Sequence, residues 1–325
     1  MSTYLKMQHN GKFLFLFIFL FGISITKGYA QLQTLSSHYH LNQLSYNPAF
    51  AGSDGGVKIF LNYRGQWVGI TGSPHTQTLA ADLSLPMINS GVGIVVTNDI
   101  IGAERHTSIR GNFAYFLDVS KNYKIGFGAA GGMINTSIDG SKLTTPEGED
   151  DFLPDAKVGF IRPDIALGVN VQSKQLKAGI SYNSLLKKGS IEGVSNTLET
   201  KYGSYLNLFA AYKINIKNKF GLEPSVLMRT DFNQWQTDLG VLFDYKNYIF
   251  TGVYFRGYNK ASIDALYATV GFKPIGSLSI FYSYDVGMSA LNKVHNGSHE
   301  LSVKVSIPEE KLYKQGKMIY NPRYL

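Results

Sequence analysis

Cysteine is absent from this sequence, tryptophan occurs twice, and charged residues make up only 17% of 325. Without cysteine there is no disulfide framework, no thiolate metal site, no thiol nucleophile and no lipid-modified cysteine anchor. The charged fraction falls below the ~25% usual for soluble domains. Beyond residue 30 no apolar run approaches the ~18 residues that mark a membrane-spanning helix. Catalytic signatures are lacking too. There is no Gly-x-Ser-x-Gly, no His-Glu-x-x-His and no phosphate-cradling Gly-Lys-Ser or Gly-Lys-Thr. In their place stand 21 Tyr, 20 Phe and 34 Gly, a bias toward strands and turns. At 44% hydrophobic the chain is too apolar to stay disordered.

The first thirty residues read as a cleaved secretory signal. Lys6 and Lys12 precede an apolar run from Phe13 to Ile25, and Gly28-Tyr29-Ala30 supplies small residues for cleavage after Ala30. The run is shorter than the ~20 residues a spanning helix needs. Removing the three lysines of residues 1–30 from a formal +8 leaves +5. That balance is modest and has no long basic block, so nucleic acid is not expected as a partner.

After Ala30 the pattern alternates with period two. In Val57 to Arg64 the residues Val57, Ile59, Leu61 and Tyr63 oppose Lys58, Phe60, Asn62 and Arg64. In Glu300 to Ile307, Leu301, Val303, Val305 and Ile307 oppose Glu300, Ser302, Lys304 and Ser306. Successive strand side chains point to opposite faces, so each such segment has one oily and one polar side. About fourteen segments of this kind follow one another. They begin near Val57, His75, Gly91, Ser108, Tyr123, Asp164, Leu176, Tyr205, Phe220, Gln236, Tyr248, Ser262, Leu278 and His299. Short turn signals separate many of them, with longer connections at about 136–162 and 184–203.

Two architectures bury one-sided strands. A soluble sandwich packs the oily faces together, whereas a membrane barrel turns them to lipid and keeps the polar faces inside. The even strand number, the charges on the polar faces and the aromatics near segment ends (Tyr63, Trp67, Tyr123, Tyr245, Tyr248, Tyr284) favour an antiparallel, up-and-down transmembrane β-barrel. The expected organisation is a signal at 1–30, an N-terminal segment at 31–56 that plugs the lumen, a barrel at 57–307 and a basic tail at 308–325. Asp82, Asp118 and Asp238 are expected to face Lys58, Arg110 and Arg229 across the lumen, with the pairing left open. Gly126, Gly128, Gly131 and Gly132 permit either bends, close backbone approach or small-residue packing.

No constellation points to a cofactor or metal. The pair His38 and His40 reads as a polar segment. Asp99 reads as a turn residue. The acid-rich stretch Glu147 to Asp155 lacks calcium-loop spacing. His299 and Glu300 are adjacent on a strand and therefore face opposite ways.

The run Tyr46-Asn47-Pro48-Ala49-Phe50-Ala51-Gly52 resembles the PorP/SprF family of type IX secretion system membrane proteins. So do Tyr63-Arg64-Gly65-Gln66-Trp67, Asn98-Asp99-Ile100-Ile101-Gly102, Tyr282-Ser283-Tyr284-Asp285 and Ser298-His299-Glu300, in that order along 40–307. The resemblance implies a Gram-negative outer-membrane barrel without enzymatic activity, working in protein secretion and gliding motility. The implied partners are outer-membrane lipids and an exported adhesin with a C-terminal sorting domain. A periplasmic peptidoglycan-binding lipoprotein and components of the secretion motor complete the set. The family positions Tyr46, Asn47, Pro48, Gly52, Arg64, Trp67, Asp99, His299 and Glu300 are expected to be structural. An outer-membrane channel for small solutes is the competing reading.

Overall fold

The computed structural model describes residues 34–142, 157–186, 203–217, 219–258, 262–288 and 294–312. These all belong to the compact unit Gln33–Leu325; the other unit, Met1–Leu32, lies outside them, as does the expected signal. The acid-rich stretch at 147–155 and the tail from residue 313 onward also lie outside the described residues.

The chain forms strands β1 (Val57–Gly65), β2 (His75–Leu85), β3 (Ser90–Ile101), β4 (Glu104–Asp118) and β5 (Lys124–Asp139). Next come β6 (Lys157–Gln172), β7 (Leu176–Asn183), β8 (Tyr205–Tyr212), β9 (Ile214–Ile216) and β10 (Phe220–Thr230). The series ends with β11 (Trp235–Tyr245), β12 (Ile249–Tyr258), β13 (Ser262–Ile275), β14 (Leu278–Gly287) and β15 (Ser298–Ile307). Neighbours in sequence pair antiparallel, and β15 pairs with β1 over its full length, so the sheet closes on itself. Both β8 and β9 pair with β10, forming one interrupted stave, and the barrel has fourteen staves. The interruption has a local cause. Extending the register places Tyr212 and Lys213 opposite Pro224 and Glu223, and proline has no N–H to give the ladder.

Burial is inverted relative to a soluble protein. Val253 is 68% exposed, Val270 56% and Leu301 48%, whereas Arg64, Arg256 and Glu300 are almost completely buried. The alternation read from the sequence therefore points its oily side outward and its charged side into the barrel. No helix among the described residues is long and apolar enough to cross a membrane.

The two rims differ. One has short turns, such as Ser120–Tyr123 and Lys246–Asn247, and also holds the entry into β1 and the end of β15. The other has the longer connections, between β1 and β2, β5 and β6, β7 and β8, and β14 and β15. In outer-membrane barrels short turns face the periplasm and long loops the exterior.

Three expectations need correction. Asp99 is not a turn residue: it lies within β3, buried, opposite Thr76 and His106. Asp118 is not a lumen residue. It ends β4, 58% exposed, and pairs with Lys124 at 3.4 Å. The connection expected at 136–162 shrinks to 140–156, because β5 and β6 run further than their periodicity shows. In the first turns of β6 the apolar Val158 and Phe160 share the inward face of Arg162 and Asp164, while Lys157 and Gly159 face outward. The alternation there is out of phase with the lower barrel.

Candidate functional site: the lumen and its N-terminal strap

Residues 34–56 run through the barrel before β1 begins. The strap starts beside Arg229 and Arg256 near the long-loop rim and ends beside Lys58 at the short-turn rim. Its residues from Ser37 to Gln43 are buried, as are Asn47 to Gly52. Its turns leave main-chain groups unpaired, and a buried backbone group needs a partner. The wall supplies them.

Near the long-loop rim the partners are charged. Arg64 and Glu300 stand directly opposite in the β1–β15 register and bond at 2.8 Å. Arg64 also reaches Asp285 at 2.7 Å, and Arg256 bonds Asp238 at 2.6 Å. Arg229 adds a contact to Asp238 at 3.3 Å. Three guanidinium groups thus meet three carboxylates, all buried. Isolated buried charges are prohibitively costly, so such a set persists only when paired and hydrogen-bonded. The strap completes the set. Ser37 donates its N–H to Glu300 at 2.7 Å and its hydroxyl to Asp285 at 2.8 Å. Arg256 donates to the Ser36 carbonyl and Arg229 to the Thr34 carbonyl.

His38 lies between Ser302 (2.6 Å) and Ser283 (2.7 Å), and Tyr39 places its hydroxyl on Ser225. The His40 ring stacks on Tyr254, centroids 5.0 Å apart. Burial holds both imidazoles below their ordinary protonation range, His40 furthest; beside His38, the carboxylates of Glu300 and Asp285 pull the other way.

The family-like run docks lower down. Asn47 caps a short 3-10 turn, Pro48–Phe50, by accepting from the Ala49 N–H at 2.9 Å, with Pro48 at the first position where its missing N–H costs nothing. The Asn47 amide donates to the Val169 and Ile180 carbonyls, both at 3.1 Å. Asn170 donates to the Ala49 carbonyl at 2.6 Å. The Tyr46 carbonyl accepts from Ser181, Asn183 and Asn207. Wall glycines make this approach possible. A Cβ on Gly128 would collide with the Ala49 backbone, and one on Gly168 with the Asn47 side chain. At the lower end Gly52, with φ +68, lies against Leu83 and Gly91, where a side chain has no room. Asp54 then bonds Lys58 at 3.2 Å and Lys177, and Lys58 also meets Asp82 at 3.2 Å.

Of the residues singled out in the sequence, Tyr46, Asn47, Pro48, Gly52, Arg64 and Glu300 all belong to the strap and its contacts. Trp67, Asp99 and His299 stand apart from it. Trp67, with φ 52, donates its N–H to Ser298 and helps tie the β1–β2 loop to the β14–β15 loop. Asp99 accepts from Thr76 at 2.5 Å. His299 faces outward and bonds Tyr282 at 2.6 Å. Of the expected charge pairs, Lys58 with Asp82 and Arg229 with Asp238 form, while Arg110 faces Asp164 at 3.8 Å. Asp285 enters the sequence reading only as the end of a family-like run, and Asn170, Asn183 and Asn207 carry no signal in it. Each lies on the inward face, but an irregular strap has no period from which its wall contacts follow. Among the described residues no group of three or more His, Asp or Glu side chains is arranged to hold a metal ion.

Residues 28–305 match the profile of the family described as "Type IX secretion system membrane protein PorP/SprF". No curated protein gives a significant match. Among solved structures, the barrel is similar to the CymD monoaromatic hydrocarbon channel, with TM-score 0.52, 13% identity, 82% of this chain and 93% of that one covered. It is also similar to the Ralstonia pickettii toluene transporter TbuX, with TM-score 0.50, 10% identity, 80% of this chain and 92% of that one covered. At such identities the likeness is one of fold.

Proposed function

Because the chain belongs to the PorP/SprF family of type IX secretion system membrane proteins, we propose that it is a non-enzymatic outer-membrane component of that machinery which anchors or helps display exported surface proteins. The observation that supports this reading over free solute passage is the strap. Its residues Ser37 to Gln43 and Asn47 to Gly52 are buried within the barrel and bonded to wall side chains from both rims. We read 31–56 as a lumen plug, 57–307 as the membrane barrel and 308–325 as a tail on the periplasmic side. The exported partner is a surface adhesin carrying a C-terminal sorting domain. A peptidoglycan-binding lipoprotein and motor components are the partners on the inner side, and the first thirty residues are the export signal.

The relatives in fold are named as a hydrocarbon channel and a toluene transporter, so solute passage is the rival outcome. Deleting the gene separates the two. On the secretion reading, a specific surface protein or spreading motility is lost while uptake of small aromatic solutes stays unchanged. Loss of uptake with an intact surface proteome would overturn it.

A further inference from the structure

At the short-turn rim, four consecutive hairpin tips carry exposed lysines. Lys121 stands between β4 and β5, Lys174 between β6 and β7, Lys217 and Lys219 between β9 and β10, and Lys246 between β11 and β12. Among the described residues none of the five has an ion-pair partner; of the neighbouring acids, Asp118 is taken by Lys124 and Asp244 by Lys213.

Two of these lysines stand where the backbone favours something else. Lys217 has φ 48 and Lys246 φ 54. Lys246 and Asn247 are both left-handed, as the two central residues of a type I′ hairpin turn are, and such positions favour Asn, Asp or Gly. A β-carbon is disfavoured in that region. The fold therefore gains nothing from lysine there, and the cationic group itself is the feature to explain.

Their level in the membrane points to a ligand. Tyr123, Tyr245 and Tyr248 are exposed beside these turns, where an interfacial aromatic belt belongs. The Lys246 ammonium lies 5.2 Å from the centre of the Tyr245 ring, so at this hairpin the charge sits at the edge of the hydrocarbon zone. Hairpin tips along the arc are spaced by about two strand widths, roughly 10 Å. That is close to the ~8 Å screening length at physiological salt, so each lysine acts on what touches it. Compact ammonium groups suit phosphate as point charges, without the planar fork that carboxylate recognition by arginine uses.

We propose that the rim from β4 to β12 is a binding surface for the phosphate headgroups of anionic phospholipids in the leaflet it faces. Each lysine takes a headgroup, so anionic lipid gathers on this arc of the barrel. A basic residue near an anionic surface is worth about 1 kcal/mol, or about fivefold in affinity.

The test compares the full chain in vesicles of phosphatidylcholine alone and of phosphatidylcholine mixed with phosphatidylglycerol. The readouts are the temperature of the heat-dependent gel shift and the phosphatidylglycerol retained on purification. The wild type is expected to melt higher in the anionic vesicles, with the gain shrinking in high salt. A variant with Lys121→Gln, Lys174→Gln, Lys217→Asn, Lys219→Gln and Lys246→Asn should lose the gain and the retained lipid. In phosphatidylcholine it should be at least as stable as wild type, since Asn suits the left-handed turns; that separates lost binding from misfolding. A full gain in the variant would overturn the proposal. So would a wild type indifferent to lipid charge, the result expected if these lysines serve an acidic protein.

Discussion

Arg64 and Glu300 face each other across β1 and β15, the two strands whose pairing closes the barrel, and the same Glu300 carboxylate receives the Ser37 N–H of the strap. Barrel closure and strap docking therefore share one buried group. Removing one partner of a buried ion pair leaves the other uncompensated, at about 3–5 kcal/mol. Glu300→Ala is expected to lower unfolding stability in mixed micelles by about that amount and to expose the strap to protease. Arg64→Lys should also destabilise, because a single ammonium cannot reproduce the fork to Glu300 and Asp285. Urea titration followed by gel mobility measures both.

Asn47 makes three bonds that no other side chain of its size can make together. Asn47→Asp keeps the acceptor for the Ala49 N–H but loses both donors and sets a carboxylate against the Val169 and Ile180 carbonyls. Asn47→Ala merely leaves those groups short, at about 1–3 kcal/mol. The Asp variant is expected to be the worse of the two, in the same urea assay.

Gly128 and Gly131 lie three residues apart on β5, and only the first touches the strap. Gly128→Ala should push the Ala49 turn away from the wall and speed hydrogen exchange through 37–51, with the barrel strands unchanged. Gly131→Ala, where an added carbon meets nothing within 4 Å, should leave exchange as in wild type. Equal effects from the two would remove the steric account of docking.

Acidification should loosen the strap. Burial depresses His38 and His40 below the ordinary 6.5, so the folded state binds fewer protons than the unfolded one. Their contribution to stability is complete above about pH 6.5 and falls as pH drops below it. Asp54 adds to this only at lower pH. Burial pushes its carboxyl up, but Lys177 and Lys58 more than offset that and hold it well below its ordinary 3.8, so its contribution is kept until the pH falls under that value. Hydrogen-exchange protection of the Ser37 and His38 N–H groups, taken relative to the intrinsic exchange rate at each pH, should fall between pH 6.5 and 5. His40→Phe, which keeps a ring against Tyr254, should flatten most of that dependence.

Period two made the strands legible. Val57, His75, Leu176, Tyr205, Phe220, Ser262 and Leu278 each begin a strand where the alternation placed one, and Leu301 and Glu300 take the outer and inner faces expected of them. The alternation reveals only the later part of β6, because Val158 and Phe160 turn inward near the long-loop rim. The strap was legible only as a motif. Asn47 and Pro48 announce a capped turn, yet their partners Val169, Ile180 and Gly168 lie more than a hundred residues away with no shared periodicity. The lumen charges were visible as a class, but their pairing depended on register: Asp238 faces Arg256 directly, and Asp118 lies at a rim.

As the proposed lumen plug, the segment 31–50 should close a membrane barrel whose oily faces meet lipid. Planar-bilayer conductance of the full chain, set beside that of a chain lacking 31–50, tests it most directly. Little conductance is expected from the full chain and stepwise open channels from the shortened one. Equal conductance from the two, whether high or absent, would contradict it.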